Sequence, residues 1–189
     1  MKVPDSGMPD EAYWASLFDI PAILDWLPIG PGTRLAVEIG CGYGTFTLPL
    51  ADAIQGTVHA FDLEPSMLET TGLNLRRAGL ANVVLEHRDV IDLGTDLPEA
   101  SADLVLIFNL LHFDGRRALL AEAARILRSG GVVAVIHWRT DMATPRGPAM
   151  ETRPTPASIL EAAAGLGLEP LGEPCFLGPY HWGMHLARV

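Results

Sequence analysis

Basic residues are scarce in this 189-residue chain: 13 Lys+Arg stand against 23 Asp+Glu, a formal charge of -10. Such a field repels a polyanion, so nucleic acid is disfavoured as a partner. Cysteine is nearly absent, with only Cys41 and Cys175. Two thiols close at most one disulfide and lack the spacing of a metal site, which fits a reducing cytoplasm and excludes a disulfide-built scaffold. Long apolar runs are missing too. The most apolar stretches, Leu104 to Leu111 and Val132 to Ile136, fall far short of a membrane span, so no membrane partner is expected. The opening stretch, MKVPDSGMPDEAYW, has neither an apolar core of signal-peptide length nor an Arg-rich amphipathic run, and no export address is expected from it. Internal repeats and low-complexity tracts are also lacking.

What remains is a globular balance, 49% hydrophobic and 19% charged, in a length that suits one domain over residues 1–189. Helical spacing of apolar groups from Asp10 to Leu27, interrupted at Pro21, predicts two short helices within an N-terminal segment, 1–32. Strands are then expected at Leu35 to Ile39, Thr57 to Phe61, Val83 to Glu86, Leu104 to Phe108 and Val132 to His137. Helices are expected between them, from Phe46 to Ile54, Pro65 to Ala78 and Gly115 to Leu127, the last closed by the Gly130-Gly131 pair. Near-continuous apolar strands alternating with amphipathic helices imply a mostly parallel α/β sheet covered on both faces, with ligands bound beyond the strands' C-terminal ends. Residues 33–137 would form that core. The segment 138–156 breaks the rhythm with four prolines and three arginines and is a candidate lid. In 157–189 a helix from Ala157 to Ala164 precedes two strand candidates, Leu168 to Phe176 and His181 to Arg188. They are close enough in sequence to pair as an antiparallel hairpin around Leu177 to Tyr180.

The strongest local signal is Val37-Glu-Ile-Gly40-Cys-Gly42-Tyr-Gly44, between the first strand and the next helix. Alternate glycines permit positive φ and let a nucleotide-like ligand approach the backbone. A tight strand-to-helix turn accounts for them equally well. Asp62, ending the second strand, is placed to accept hydrogen bonds from ribose hydroxyls. A dinucleotide fingerprint would put its third glycine where Thr45 stands, which weakens NAD binding.

These motifs, in this order, resemble those of the class I S-adenosylmethionine-dependent methyltransferases. Glu38 to Gly44 resembles the family's first motif, and Asp62-Leu-Glu-Pro-Ser-Met-Leu68 its acidic turn. Arg88-Asp89-Val90, Leu97 to Val105, Phe108-Asn-Leu-Leu-His112 and Ala124 to Gly131 follow in sequence. The nearest likeness is to small bacterial members related to quinone-biosynthesis enzymes. The resemblance implies a Rossmann-like, three-layer, seven-stranded sheet ordered 3-2-1-4-5-7-6, with strand 7 antiparallel. It implies S-adenosyl-L-methionine as cofactor. Gly40, Gly42 and Gly44 would bound the methionine part, with Glu38 placing its amino group and Asn109 near its tail. Asp62 would hold the ribose, Asp89 would accept from the adenine amino group, and Leu63 and Val90 would sandwich the ring.

Methyl transfer from an activated sulfonium needs chiefly proximity and exclusion of water, and an acceptor of high pKa adds the need for a general base. His112 and His137, after the fourth and fifth strands, are the candidates for that catalytic part; each also suits mere packing at a strand end. Arg139, Arg146 and Arg153 of the Pro/Arg-rich segment are candidates to bind an anionic small-molecule acceptor, or form an ordinary solvated loop. Tyr13, Trp14, Phe18 and Trp26 would close over an apolar one or serve as core. His181 and His185, about 13 Å apart along one strand, are too far apart to share an ion, and no metal is expected. Two cysteines cannot supply a thiol cluster for arsenite. The Asn109-Leu-Leu-His112 stretch lacks the tetrapeptide of many DNA or glutamine amino-methylating enzymes. Two other readings stay open: a non-catalytic S-adenosylmethionine-binding module, and an NAD-dependent oxidoreductase.

Overall fold

The computed structural model describes residues 7–189, so the first six positions of the stretch read for an export address lie outside the described residues. Two short helices come first, α1 (Glu11–Ala15) and α2 (Ile20–Trp26). Asp10 caps α1 by accepting from the backbone N–H of Ala12 and Tyr13, and Asp19 caps α2 through Ala22. Pro21 does not divide them, contrary to the expectation from its sequence. It lies in the first turn of α2, where its missing N–H costs no helix bond, and the break falls at residues 16–19.

The βα repeat follows: β1 (Leu35–Ile39), α3 (Thr47–Ala53), β2 (Thr57–Asp62), α4 (Pro65–Ala78), β3 (Val83–His87), α5 (Val90–Leu93), β4 (Ala102–Phe108), α6 (Arg116–Ile126) and β5 (Leu127–Trp138). The chain closes with α7 (Pro156–Ala163), β6 (Leu168–Pro170), β7 (Cys175–Leu177) and β8 (His181–Arg188). The sheet order is β3-β2-β1-β4-β5-β8-β6, with β7 also on β8. Pairing is parallel from β3 to β5, and β8 runs antiparallel to β5. Beyond the last strand's number, this is the expected order.

Three elements depart from the sequence reading. The strand expected over Leu168 to Phe176 is interrupted: β6 and β7 pair with opposite ends of β8, separated by residues 171–174, where Gly172 adopts φ +79° and Pro174 has no N–H to donate. The Gly130-Gly131 pair sits inside β5 as an irregularity, since the register jumps from Ala102↔Leu127 to Leu104↔Val132. Helix α5 is unforeseen; at four residues it is too short to register as a period, and Asp89 caps it through Ile91 and Asp92.

The strict alternation of side chains along the strands divides the core in two. Ala36, Leu104, Leu106, Ala134 and Ile136 pack against Ile23 of α2 and Leu50 of α3. Val37, Val105, Ile107, Val133 and Val135 pack against Leu120 of α6 and Ile159 of α7. Both faces being covered explains why the central strands read as apolar throughout. No helix among the described residues is long and apolar enough to cross a membrane.

Candidate functional site

Beyond β1 the backbone turns through three left-handed glycines, Gly40, Gly42 and Gly44, with φ of +79°, +53° and +80°. At Gly44 the need for glycine is double: a Cβ there would lie 2.6 Å from Leu48 Cδ1 and 2.8 Å from Thr71 Cγ2. Asp62, at the end of the neighbouring strand, braces this turn. One carboxylate oxygen accepts from the Gly42 N–H at 2.7 Å and the other from the Glu64 N–H at 2.9 Å. Burial raises the Asp62 pKa above the ordinary carboxylate value, while those two hydrogen bonds oppose the rise.

The turn borders a cavity of about 890 Å³. Gly40, Gly42, Asp62 and Leu63 line one part of it, and Asp89, Val90 and Asn109 another. Asp89 uses Oδ1 to cap α5, accepting from Ile91 and Asp92. Asn109 stands at φ +57°, and both polar atoms of its buried side-chain amide are without a protein partner. Two residues of the expected set do not line the cavity. Gly44 is packed behind the turn, and Glu38 lies beneath it at 1% exposure, accepting from the Thr47 hydroxyl at 2.5 Å. Burial, with the nearby Asp62 charge adding to it, pushes the Glu38 pKa up to about 8.

The cover of this cavity comes from two distant segments. Met8, Pro9 and Trp14 contribute from the N-terminal side, and Pro145 to Pro148 from the Pro/Arg-rich loop. They are joined by Arg146, which donates to the Gly7 carbonyl at 2.6 Å, and the Tyr43 hydroxyl donates to the Pro9 carbonyl. Of the four N-terminal aromatics, Trp14 alone lines the cavity. Phe18 is in the core, Trp26 stacks on His185 at 3.9 Å, and Tyr13 is exposed.

A second cavity, about 320 Å³, lies beyond His112 and is walled by Arg116, Glu151, Thr152, Arg153 and Ser158 among others. His112 is common to the linings of both cavities. His137 lies behind it, fully buried, with Nε2 3.4 Å from His112 Nδ1 and Nδ1 accepting from the Trp138 N–H at 2.9 Å. Burial, and then the neighbouring His112, hold the His137 pKa well below the usual histidine value. Burial and the Arg116 charge also lower that of His112, against a hydrogen bond to the Asn109 backbone.

The three loop arginines are engaged with the protein. Arg139 pairs with Asp141 and lies 4.0 Å from the Phe176 ring centroid; Arg153 donates to the carbonyls of Pro148 and Arg139. Arg116 was not singled out by its sequence. Its signal was there in retrospect, because two cations, Arg116 and Arg117, open α6 where the helix dipole disfavours positive charge. Farther from the cavities, His181 stacks on Phe18 at 4.3 Å and packs against Trp138. Among the described residues no group of three or more His, Cys, Asp or Glu is placed to hold a metal ion, and both cysteines are free thiols.

Residues 36–131 match the family described as a methyltransferase domain. Aklanonic acid methyltransferase of Streptomyces sp. (strain C5) is 34% identical over 101 residues, 52% of this chain and 45% of that protein. Demethylmenaquinone methyltransferase of Geobacillus stearothermophilus is 30% identical over 107 residues, 55% of this chain and 45% of that protein. The match thus spans under half the length of these relatives. In fold, the chain is similar to a SAM-dependent methyltransferase from Aquifex aeolicus, with a TM-score of 0.81 at 21% identity, covering 95% of this chain and 94% of that one. The motif order, the sheet order and the matched stretch agree: this chain belongs to the methyltransferase domain family, with the fold of the Aquifex aeolicus enzyme.

Proposed function

We propose that the chain transfers a methyl group from S-adenosylmethionine to a small-molecule acceptor held at the junction of the two cavities. The observation that carries this reading is the orphaned Asn109 amide, buried in the same cavity as the glycine turn and the carboxylates of Asp62 and Asp89. A buried amide without partners costs about 1–3 kcal/mol, which a polar ligand group relieves. The residues fit the cofactor. Asp62 retains lone pairs that would accept from the ribose hydroxyls, Asp89 retains Oδ2 that would accept from the adenine amino group, and Leu63 and Val90 of the cavity wall would flank the ring. Asn109 offers both a donor and an acceptor to the charged methionine end. Glu38 and Gly44 act through the turn, supporting it from beneath.

When bound, the cofactor would supply an activated methyl group on a positively charged sulfur, for in-line transfer to an acceptor lone pair with the sulfur as leaving group. The chain then has to orient the acceptor and exclude water. His137, neutral in its buried place and accepting at Nδ1, carries its proton on Nε2, directed at His112 Nδ1. Neutral His112 therefore carries its own proton on Nε2. In that tautomer its single N–H is shared between the Asn109 carbonyl and the acceptor, whose lone pair it aims, and His137 is the positioning residue that sets the tautomer. Arg139, Arg146 and Arg153 shape the walls of the acceptor's space and hold the cover in place, their guanidinium groups being already engaged.

Calorimetric titration with S-adenosylmethionine and S-adenosylhomocysteine is the test. Both are expected to bind stoichiometrically, and Asp62→Ala to weaken them by roughly 10–100-fold, through lost ribose hydrogen bonds and a loosened glycine turn. No binding to the unaltered protein would overturn the reading. Binding without turnover over a broad metabolite panel would reduce it to cofactor binding alone.

A further inference from the structure

Arg116 is a charge without an internal reason. Helix α6 opens with Gly115 as its cap, and the next two residues are both arginines, where the helix N-terminus carries partial positive charge. Arg117 is compensated, since it donates to the carbonyls of Ala162 and Ala164 at the far end of α7, 2.7 and 3.0 Å away. Arg116 is not. Among the described residues its side chain makes one hydrogen bond, a 3.4 Å contact from Nε to the Phe113 carbonyl in its own turn, and takes part in no ion pair. Both terminal nitrogens are left for the 320 Å³ cavity that it lines.

The rest of that cavity narrows what fits. Arg153, the other cation in its wall, is bonded to three backbone carbonyls. Asp114 and Glu151 line it as well, and they would repel a dianion such as a phosphate monoester. The wall's two cations and two acidic side chains cancel formally, leaving one free guanidinium fork whose geometry matches a single carboxylate bidentately. The cavity's size is at the lower end for a ligand site, enough for a small acid or the acidic end of a larger one.

We propose that this cavity is the anchoring subsite of the methyl acceptor, and that it takes a monocarboxylate gripped by Arg116 so that the remainder of the acceptor passes His112 toward the methyl donor. This rests on the methyl-transfer reading above. It moves recognition of the acceptor's charge from the loop arginines to the start of α6. It also connects with His112: a bound carboxylate screens the Arg116 charge that lowers the His112 pKa.

The test titrates the protein saturated with S-adenosylhomocysteine against matched acid and amide pairs: acetate and acetamide, benzoate and benzamide, 4-hydroxybenzoate and 4-hydroxybenzamide. Binding is followed by the NMR signals of the Arg116 side-chain N–H and the His112 ring. At least one acid is expected to bind about tenfold more tightly than its amide, or better, and to move both signals. Arg116→Gln should erase the preference and Arg116→Lys should keep part of it, with unchanged melting temperature and S-adenosylhomocysteine affinity. The proposal is overturned if no acid outbinds its amide, or if Arg116→Gln still prefers the acid. Failure of S-adenosylhomocysteine to bind the unaltered protein would bring down the methyl-transfer reading together with this one, whereas loss of the acid preference alone leaves that reading standing.

Discussion

A neutral histidine has one donor and one acceptor, and at His112 the choice between them is made by its neighbour. The Trp138 N–H occupies His137 Nδ1, so the His137 proton points toward His112. If His112 acts as a donor, glutamine replaces it tolerably, because its amide N–H donates as well. We expect His112→Ala to lower kcat for the best acceptor by about 10–100-fold and His112→Gln to recover to within about fivefold of the unaltered enzyme. A general base would behave otherwise, with glutamine as damaging as alanine. The pH profile adds a second reading. Since the His112 pKa lies below the ordinary 6.5, the neutral form persists through mild acidification, and the acid limb of kcat/KM should have its midpoint below 6.5. In the variants that limb should disappear. His112 and His137 were legible as residues at the ends of adjacent strands. The burial of His137 was not, because a strand's final position is covered or open according to what the distant β8 and the loop put over it.

The element that closes the site is the Pro/Arg-rich loop, residues 139–155, which its composition marks as an insertion between β5 and α7. Composition does not tell what it touches. Arg146 reaches Gly7, 139 positions earlier, and so ties the loop to the N-terminal cover of the larger cavity. Removing this bond leaves the core intact and frees the cover. Arg146→Ala is accordingly expected to speed dissociation of S-adenosylhomocysteine by about 3–10-fold in stopped-flow measurements, with a change in melting temperature under about 2 °C. An unchanged dissociation rate would show that the bond does not hold the cover closed. At the same scale, helices and strands with a clear period were readable, and the misreadings are local exceptions to a period. Pro21 is tolerated within α2, Gly130 and Gly131 sit in an irregularity of β5, and Gly172 with Pro174 divides the edge strand.

For the whole molecule, buried imidazoles and a buried carboxyl pull the response to acid in opposite directions. His181 is fully buried, both ring nitrogens lack partners, and burial pushes its pKa down to about 3. The folded state therefore keeps His181 neutral where the unfolded chain, near 6.5, takes up a proton. Its part of the stability is then intact above pH 6.5 and is lost progressively as pH falls from there toward about 3. His137 acts in the same sense. Glu38 acts in the opposite sense: its folded pKa of about 8 lies above the ordinary carboxyl value, so the fold gains stability as pH falls through 8, and the imidazole part is read from a variant and not from the raw slope of the melting temperature between pH 7.5 and pH 5. His181→Phe, which keeps the aromatic stack with Phe18 and Trp138 and removes two orphaned nitrogens, should melt higher at pH 5 and lose about 3–6 °C less across the interval. An identical slope would assign the acid sensitivity to other groups.

The sequence by itself determined the α/β class, the expected sheet order by resemblance, the glycine turn and the positions of Asp62 and Asp89. Periods of 2 and 3.6 and a left-handed turn are short-range properties, written within a few residues of where they act. Tertiary structure alone decided which charges are free. Arg139, Arg146, Arg153 and Arg116 are alike as residues, and whether a guanidinium is available depends on carbonyls and carboxylates brought to it from elsewhere in the chain. Three find such partners; Arg116, set against the dipole of its own helix and facing a cavity, keeps its two terminal nitrogens unengaged.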